Sequence, residues 1–273
     1  MPELPEVEII KNNLSSHLIG LVIENIFQNH FSLREPIDNL STLIDEKIIS
    51  LTRRNKYIII ETTNLWFIIH LGMTGQLIFS QEKKNHKHIH AYLKFNNNFY
   101  LFYKDHRRFG LLKIFSKKDY PYFLEIPLLK DLGIEPLNKN FHLIDFQSFH
   151  HKKMTVKSFL MNSHFICGIG NIYANEILFL SSVHPLSIVN KIPDSYYEDI
   201  YKNIIIVLNK AINLGGSSIS DFIHINESKG QMQNFYYVYG KNNEKCKICK
   251  FNISSIKQNG RTSFFCPNCQ KLF

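Results

Sequence analysis

The sequence predicts an α+β protein of more than one domain, and three observations carry that prediction. A helical period at the N-terminus gives way to a run of short strands. Beyond residue 150 the periodicity turns helical. Residues 241–273 then hold four of the five cysteines as two Cys-x2-Cys pairs.

The elements follow in chain order. Val7, Ile10, Leu14 and Leu18 recur at helical spacing after Pro2, and Gly20 stands where a C-terminal cap belongs. From Leu21 to about Ser116 the pattern is that of strands: Tyr57–Glu61, Trp66–His70, Gln76–Phe79, then Ala91–Phe95 and Tyr100–Tyr103 around an Asn96-Asn97-Asn98 turn. Short strands with regular turn signals predict a β-sandwich or barrel. Residues 131–150, with Gly133, Pro136 and Asn138, are expected to form a linker. Helices are predicted over Met154–Met161, Ile172–Leu180 and Tyr196–Leu214. The last has Ser195 or Asp194 as N-cap, Ile200, Ile204, Val207, Leu208 and Ala211 on one face, and Gly215-Gly216 as its stop. The resulting division is 1–130, a linker over 131–150, a helical region over 151–240, and a cysteine module over 241–273.

The knuckles Cys246-x2-Cys249 and Cys266-x2-Cys269 are sixteen residues apart. Each knuckle puts two sulfurs on one side of a tight turn, and two complete a tetrahedron around zinc. A redox pair is the weaker alternative, because it leaves the second knuckle unexplained. Four thiolates leave no open position, so one structural Zn²⁺ per chain is expected, with no organic cofactor. Between the knuckles, Ile253–Phe265 centred on Asn259-Gly260 predicts a β-hairpin with a type I′ turn. Arg261 then sits beside the tip, where a guanidinium can grip a phosphate; a solvated turn arginine is the plainer reading.

Charge narrows the partners. Lys and Arg number 32 against 23 Asp and Glu, giving +9, and residues 241–273 alone carry seven cations against one glutamate. Such an excess suits a polyanion whose counterions are released on binding. No apolar run is long enough to span a membrane, and the polar start is not a secretory signal. Cysteines in metal spacing suit a reducing cytoplasm.

The N-terminus has chemistry of its own. The small Pro2 favours removal of Met1, which leaves a secondary amine. At pH 7 a lysine amine is only ~0.04% neutral, whereas an α-amino group is roughly 10% neutral. Attack by a prolyl nitrogen at a sugar C1′ yields an iminium, a good electron sink. Glu3 could donate a proton to the opening sugar. Read in isolation, Pro2 merely precedes a helix whose positive end Glu3, Glu6 and Glu8 favour.

Five blocks change that balance: Met1-Pro2-Glu3-Leu4-Pro5-Glu6-Val7-Glu8, Arg53-Arg54-Asn55-Lys56-Tyr57, His70-Leu71-Gly72-Met73-Thr74-Gly75, Arg107-Arg108-Phe109-Gly110, and Gly168-Ile169-Gly170-Asn171-Ile172-Tyr173-Ala174-Asn175-Glu176. With the cysteine module they make the chain resemble the bacterial formamidopyrimidine-DNA glycosylases over its whole length. The endonuclease VIII group shares the Pro-Glu start, but Leu4 and the Arg-Arg-Phe-Gly block resemble the formamidopyrimidine branch more. The resemblance implies an N-terminal β-sandwich with an N-terminal helix, a C-terminal helix–two-turn–helix domain, and a four-Cys zinc-finger β-hairpin. It also implies a DNA glycosylase and abasic-site lyase that removes 8-oxoguanine and formamidopyrimidines from double-stranded DNA, acting as a monomer.

Residue by residue, the resemblance implies Pro2 as nucleophile, Glu3 as proton donor and Glu6 as a positioning carboxylate. It gives Lys56 to β-elimination and Arg261 to δ-elimination. Met73, Arg107 and Phe109 match an insertion triad that fills the gap left by an extruded nucleotide. His70, His86, Lys152 and Asn171 match DNA-contacting positions, and Lys157 a lysine near the lesion. His86, His88 and His90 alternate without further ligands, so a metal site there is not expected, and Cys167 is expected to be a buried small residue.

Departures from the family pattern fall at three places. His106 replaces the proline usual before Arg107, which predicts a looser loop. Ser158 and Phe159 replace a common Pro-Trp pair. The loop from Asn226 to Asn234 is divergent, which leaves lesion preference open. Two other readings stand beside the purine-lesion glycosylase: the same chemistry on oxidised pyrimidines, and a zinc-ribbon DNA-binding protein without catalysis.

Overall fold

Helix α1 (Leu4–Leu18) begins with Pro5 in its first turn and buries Leu4, Val7, Ile10, Leu14 and Leu18. Proline is tolerated there because first-turn amides have no intrahelical acceptor. The chain leaves the helix through Gly20 at φ +90, as its position in the sequence predicts. The computed structural model describes residues 2–29, 33–217 and 230–273. Two compact units are distinguished, Met1–Asp131 with Gly215–Gln231, and Leu132–Leu214 with Met232–Phe273.

Among the described residues of the first unit eight strands follow α1: β1 (Ile23–Gln28), β2 (Ile48–Arg54), β3 (Tyr57–Thr62), β4 (Leu65–His70), β5 (Gln76–Ser80), β6 (Ile89–Phe95), β7 (Tyr100–Lys104) and β8 (Leu111–Ser116). They form two four-stranded sheets, β1-β6-β7-β5 and β2-β3-β4-β8, in which every pairing is antiparallel. Alternate residues supply one shared core: Ile58, Ile60, Phe67 and Ile69 from one sheet, Leu93, Leu101 and Tyr103 from the other, and Val7, Ile10 and Leu14 from α1. This is the sandwich that the strand pattern predicts.

The second unit contains α2 (Leu143–Gln147), α3 (Val156–Leu160), α4 (Asn171–Leu180), α5 (Asp194–Asn213) and a hairpin of β9 (Ser254–Gln258) and β10 (Arg261–Phe265). Helix α5 buries Ile200, Ile204, Val207, Leu208 and Ala211 as its periodicity requires. Its N-cap is Pro193, not Ser195 or Asp194. The extended Pro193 already turns the chain into the helix, which leaves Asp194 in the first turn where its charge meets the helix dipole. The expected linker over 131–150 contains α2, whose Phe146 is fully buried and stacks on Tyr197 at 4.4 Å. Aromatic packing, invisible to turn signals, orders this stretch.

Candidate functional site

Pro2 and Glu3 are both buried at the mouth of α1. Glu6, 1% exposed, occupies the third helical position, from which a carboxylate can reach back to the N-cap amide. One of its oxygens accepts from the Glu3 N–H at 2.9 Å, and the other accepts from the Ser217 N–H at 2.8 Å. Its carboxylate thus fixes the backbone of Glu3 and anchors residue 217. Two residues later Glu8 pairs with Lys11 and with Arg53 Nε, each at 2.7 Å. Burial raises the Glu8 pKa, but these two cations outweigh it and hold the carboxyl below its ordinary value. Arg53 Nη1 also donates to the Asn55 carbonyl at 2.8 Å, and Asn55 takes φ +55 in the turn joining β2 to β3. The turn that presents Lys56 is therefore tied to α1.

His70 ends β4 opposite Tyr57, their rings 4.9 Å apart. Its Nδ1 accepts from the Gly72 N–H at 3.1 Å. Burial, with the Lys56 charge nearby, lowers its pKa to about 4. The ring is neutral at physiological pH with its proton on Nε2, which makes that atom a hydrogen-bond donor.

In the first unit the loop that carries Met73 meets the loop that carries Arg107 and Phe109. Gly72 has φ +59, and a Cβ there would lie 2.4 Å from the Phe109 carbonyl carbon, so only glycine lets the loops meet. Met73 and Phe109 are each 38% exposed, unusual for large apolar side chains, and the Arg107 guanidinium lies 5.0 Å from the Phe109 ring. Arg34 lies over the same ring at 5.7 Å. The organiser of the Arg107–Phe109 loop is Asp105, wholly buried, which accepts from the Thr74 hydroxyl, the Arg107 N–H at 3.2 Å and the Gly110 N–H at 2.9 Å. The loop that lacks the proline ring at His106 is bonded instead at two backbone amides by the carboxylate of the preceding residue. The sequence reading missed Asp105. The signal was present, as an aspartate heading an exposed Arg-Arg-Phe-Gly turn.

His86 is exposed and its ring lies 5.4 Å from that of His88. His90 is buried and its Nε2 bonds the Asp105 carbonyl at 2.7 Å. These histidines do not converge: among the described residues only Cys246, Cys249, Cys266 and Cys269 group as metal ligands.

In the second unit Arg261 is exposed at the start of β10, and Asn259 and Gly260 both take positive φ, 49° and 73°. This is the backbone of a type I′ turn. Lys157, read from the resemblance as facing a lesion, is only 2% exposed; its ammonium donates to the Thr262 carbonyl at 3.2 Å and to Ser263 Oγ at 2.7 Å. Asn171, at the start of α4 after Gly170, donates to the same carbonyl at 3.1 Å, while its own Oδ1 is buried without a hydrogen-bond partner. Asn175 Oδ1 accepts from the Phe264 N–H at 2.7 Å. The strand carrying Arg261 is thus braced by α3 and α4. Lys152 lies over the Phe165 ring at 5.1 Å. Cys167 is fully buried. Glu176, also missed from sequence, accepts from the N–H groups of Tyr237, Val238 and Tyr239 at 2.8, 3.0 and 2.9 Å. It fastens the segment that leads into the cysteine module.

The four Sγ atoms lie within 4.8 Å of one another, with Cys249–Cys266 at 3.4 Å and Cys246–Cys269 at 3.9 Å. Tetrahedral bonds of about 2.3 Å to zinc require sulfurs roughly 3.8 Å apart. The donor set therefore fits a structural metal. Residues 226–229 of the divergent loop lie outside the described residues.

Comparison with known proteins agrees with this geometry. Three family models match in order: formamidopyrimidine-DNA glycosylase N-terminal domain over residues 1–112, formamidopyrimidine-DNA glycosylase H2TH domain over 132–223, and zinc finger found in FPG and IleRS over 243–272. A formamidopyrimidine-DNA glycosylase from Wolbachia sp. subsp. Drosophila simulans (strain wRi) is 40% identical over 275 residues, covering 99% of this chain and all of the relative. A Lactococcus lactis FPG mutant in complex with Fapy-dG-containing DNA superposes with a TM-score of 0.88 at 34% identity, covering 99% of this chain and 100% of its own. MutM in complex with DNA containing carbocyclic 8-oxo-G gives the same score, identity and coverage.

Proposed function

Because the chain belongs to the formamidopyrimidine-DNA glycosylase family, we propose that it excises 8-oxoguanine and formamidopyrimidines from duplex DNA and then cleaves the strand as an abasic-site lyase. It is a DNA-repair glycosylase with a zinc finger; the lesions, the lyase activity and the residue roles are our reading. The observation that carries it is the buried Pro2-Glu3 pair, positioned by Glu6 and tied through Glu8 and Arg53 to the turn that presents Lys56.

Once Met1 is removed, the Pro2 amine attacks C1′ of the damaged nucleotide. The C1′–N9 bond breaks, and its electron pair leaves with the base, which takes up a proton. Glu3 protonates O4′ as the sugar ring opens, and Pro2 N becomes an iminium. Loss of a C2′ proton then expels the 3′-phosphate by breaking the C3′–O bond, with Lys56 beside that phosphate. Loss of a C4′ proton expels the 5′-phosphate from C5′, with Arg261 neutralising the leaving oxygen. Water hydrolyses the remaining iminium and frees Pro2. Reaching C1′ requires extruding the nucleotide, at a cost of a few kcal/mol, and Met73 and Phe109 occupy the vacated stack while Arg107 addresses the orphaned cytosine.

His70, as a neutral Nε2–H donor, together with His86, Lys152 and Asn171, contacts the DNA backbone. Lys157 acts through the strand it braces. One Zn²⁺ held by the four thiolates stabilises the hairpin and takes no part in the chemistry, and no organic cofactor is needed. No described helix is long and apolar enough to cross a membrane; we infer a cytoplasmic monomer, since each step uses one copy of each residue. Borohydride trapping on an 8-oxoguanine:cytosine duplex, with mass mapping, tests the proposal. An adduct at Pro2 is expected. A zinc-loaded, Met1-cleaved protein that traps neither this duplex nor an abasic one would be a DNA-binding protein without catalysis.

A further inference from the structure

The reactive arginine proposed above sits beside a two-residue turn at the tip of a two-stranded hairpin, and such a hairpin is marginal without support. Asn259 and Gly260 are both exposed, and the flank of the tip borders a cavity of about 330 Å³ lined by Lys157, Met161, Asn162, Gln258, Asn259 and Arg261. Packing on that side is therefore open, and hydrogen bonds must set where the tip lies.

These bonds form a connected chain. Asn259 Nδ2 donates to Ser158 Oγ at 2.9 Å, and the Thr155 hydroxyl donates to the same oxygen at 2.8 Å. Gln258 Nε2 donates to Thr155 Oγ1 at 2.8 Å and to the Pro185 carbonyl at 3.3 Å. Gln258 Oε1 accepts from Ser263 Oγ at 2.9 Å, and that hydroxyl accepts in turn from Lys157 Nζ at 2.7 Å. Ser158 is the member of the chain that bonds the turn residue next but one before Arg261. A proline, the residue common in the family at this position, has no oxygen to offer.

We propose that Ser158 is a positioning residue for the second elimination: acting through Asn259, it fixes the turn that sets Arg261 against the 5′-phosphate. The inference rests on the assignment of Arg261 to δ-elimination. Ser158 bonds Asn259 and Thr155, and the mechanism above gives it no part in nucleophilic attack or in the first elimination, so its loss alters the division of products and not the formation of the covalent adduct.

The test uses full-length, zinc-loaded protein on an abasic duplex and compares S158A, S158T and N259G with the unaltered enzyme. N259G keeps a residue suited to positive φ and so removes the side chain without disturbing the turn. Losing one hydrogen bond is expected to lower the ratio of δ- to β-elimination product about fivefold in S158A and N259G, with the rate of borohydride trapping at Pro2 unchanged. S158T should restore the ratio, and the double variant S158A/N259G should be no worse than either single one. An unmoved ratio in both single variants, or trapping that falls in step with the ratio, would overturn the proposal. Failure of the unaltered protein to trap at all would sink the underlying mechanism and this inference together, whereas normal trapping with an unmoved ratio sinks the inference alone.

Discussion

Asp105→Ala should loosen the loop that presents Arg107 and Phe109, and the size of the effect can be worked from its bonds. The carboxylate is wholly buried and accepts from the Thr74 hydroxyl, the Arg107 N–H and the Gly110 N–H. Gly110 is buried against Tyr103 and Thr74 is 3% exposed, so two of these donors have no route to water after the substitution. Each buried group left without a partner costs roughly 1–3 kcal/mol, which sums to about 2–6 kcal/mol. The Arg107 N–H is nearer solvent and adds little. His106→Pro is the matched comparison: it restores the family's usual residue but leaves the carboxylate in place, and stability should change by less than about 1 kcal/mol. Urea unfolding and fluorescence anisotropy on a duplex with a stable abasic analogue would read both variants. D105A should lose stability on that scale and bind the abasic duplex at least tenfold more weakly, with H106P close to the unaltered protein. An unchanged D105A, or an H106P that binds tenfold more tightly, would mean that the loop is not fixed by Asp105.

Two further outcomes are expected. The folded-state pKa of His70 is near 4, against an ordinary 6.5, so on acidification the unfolded chain takes up its proton first. The associated stability is complete above pH 6.5 and is lost as pH falls from 6.5 towards 4, by about 3 kcal/mol in total. Urea unfolding across that range should therefore show a steeper loss than in His70→Gln, and a His70 ring resonance that titrates near 6.5 would contradict this. Removing the metal from the four cysteines should unfold the β9–β10 hairpin and abolish tight DNA binding, because a structural zinc contributes on the order of 10 kcal/mol to such modules; full affinity in chelated, metal-free protein would refute it.

What the sequence showed and what it hid have a common physical cause. The Asn259-Gly260 turn, the apolar face of α5 and the two cysteine knuckles obey local rules, in which residue type at short spacing dictates backbone or ligand geometry. The carboxylates that shape the site do not. Glu6 bonds an amide 211 positions away, and Glu176 bonds three amides some sixty positions on. Every residue but proline offers an N–H, so nothing in the partner's side chain marks it as the recipient. Lys157 shows the converse: the resemblance placed it near the lesion, yet a serine 106 residues later captures its ammonium inside the protein. The resemblance named the chemistry-bearing side chains, but how each is held depends on backbone groups that the fold alone brings within reach. Asp105 is the sharpest case, since it holds a loop that lacks the proline ring through hydrogen bonds to two amides within five residues of itself. A substitution that removes a local stiffening element therefore need not loosen a loop where a buried carboxylate collects the amides that the ring would otherwise have restrained.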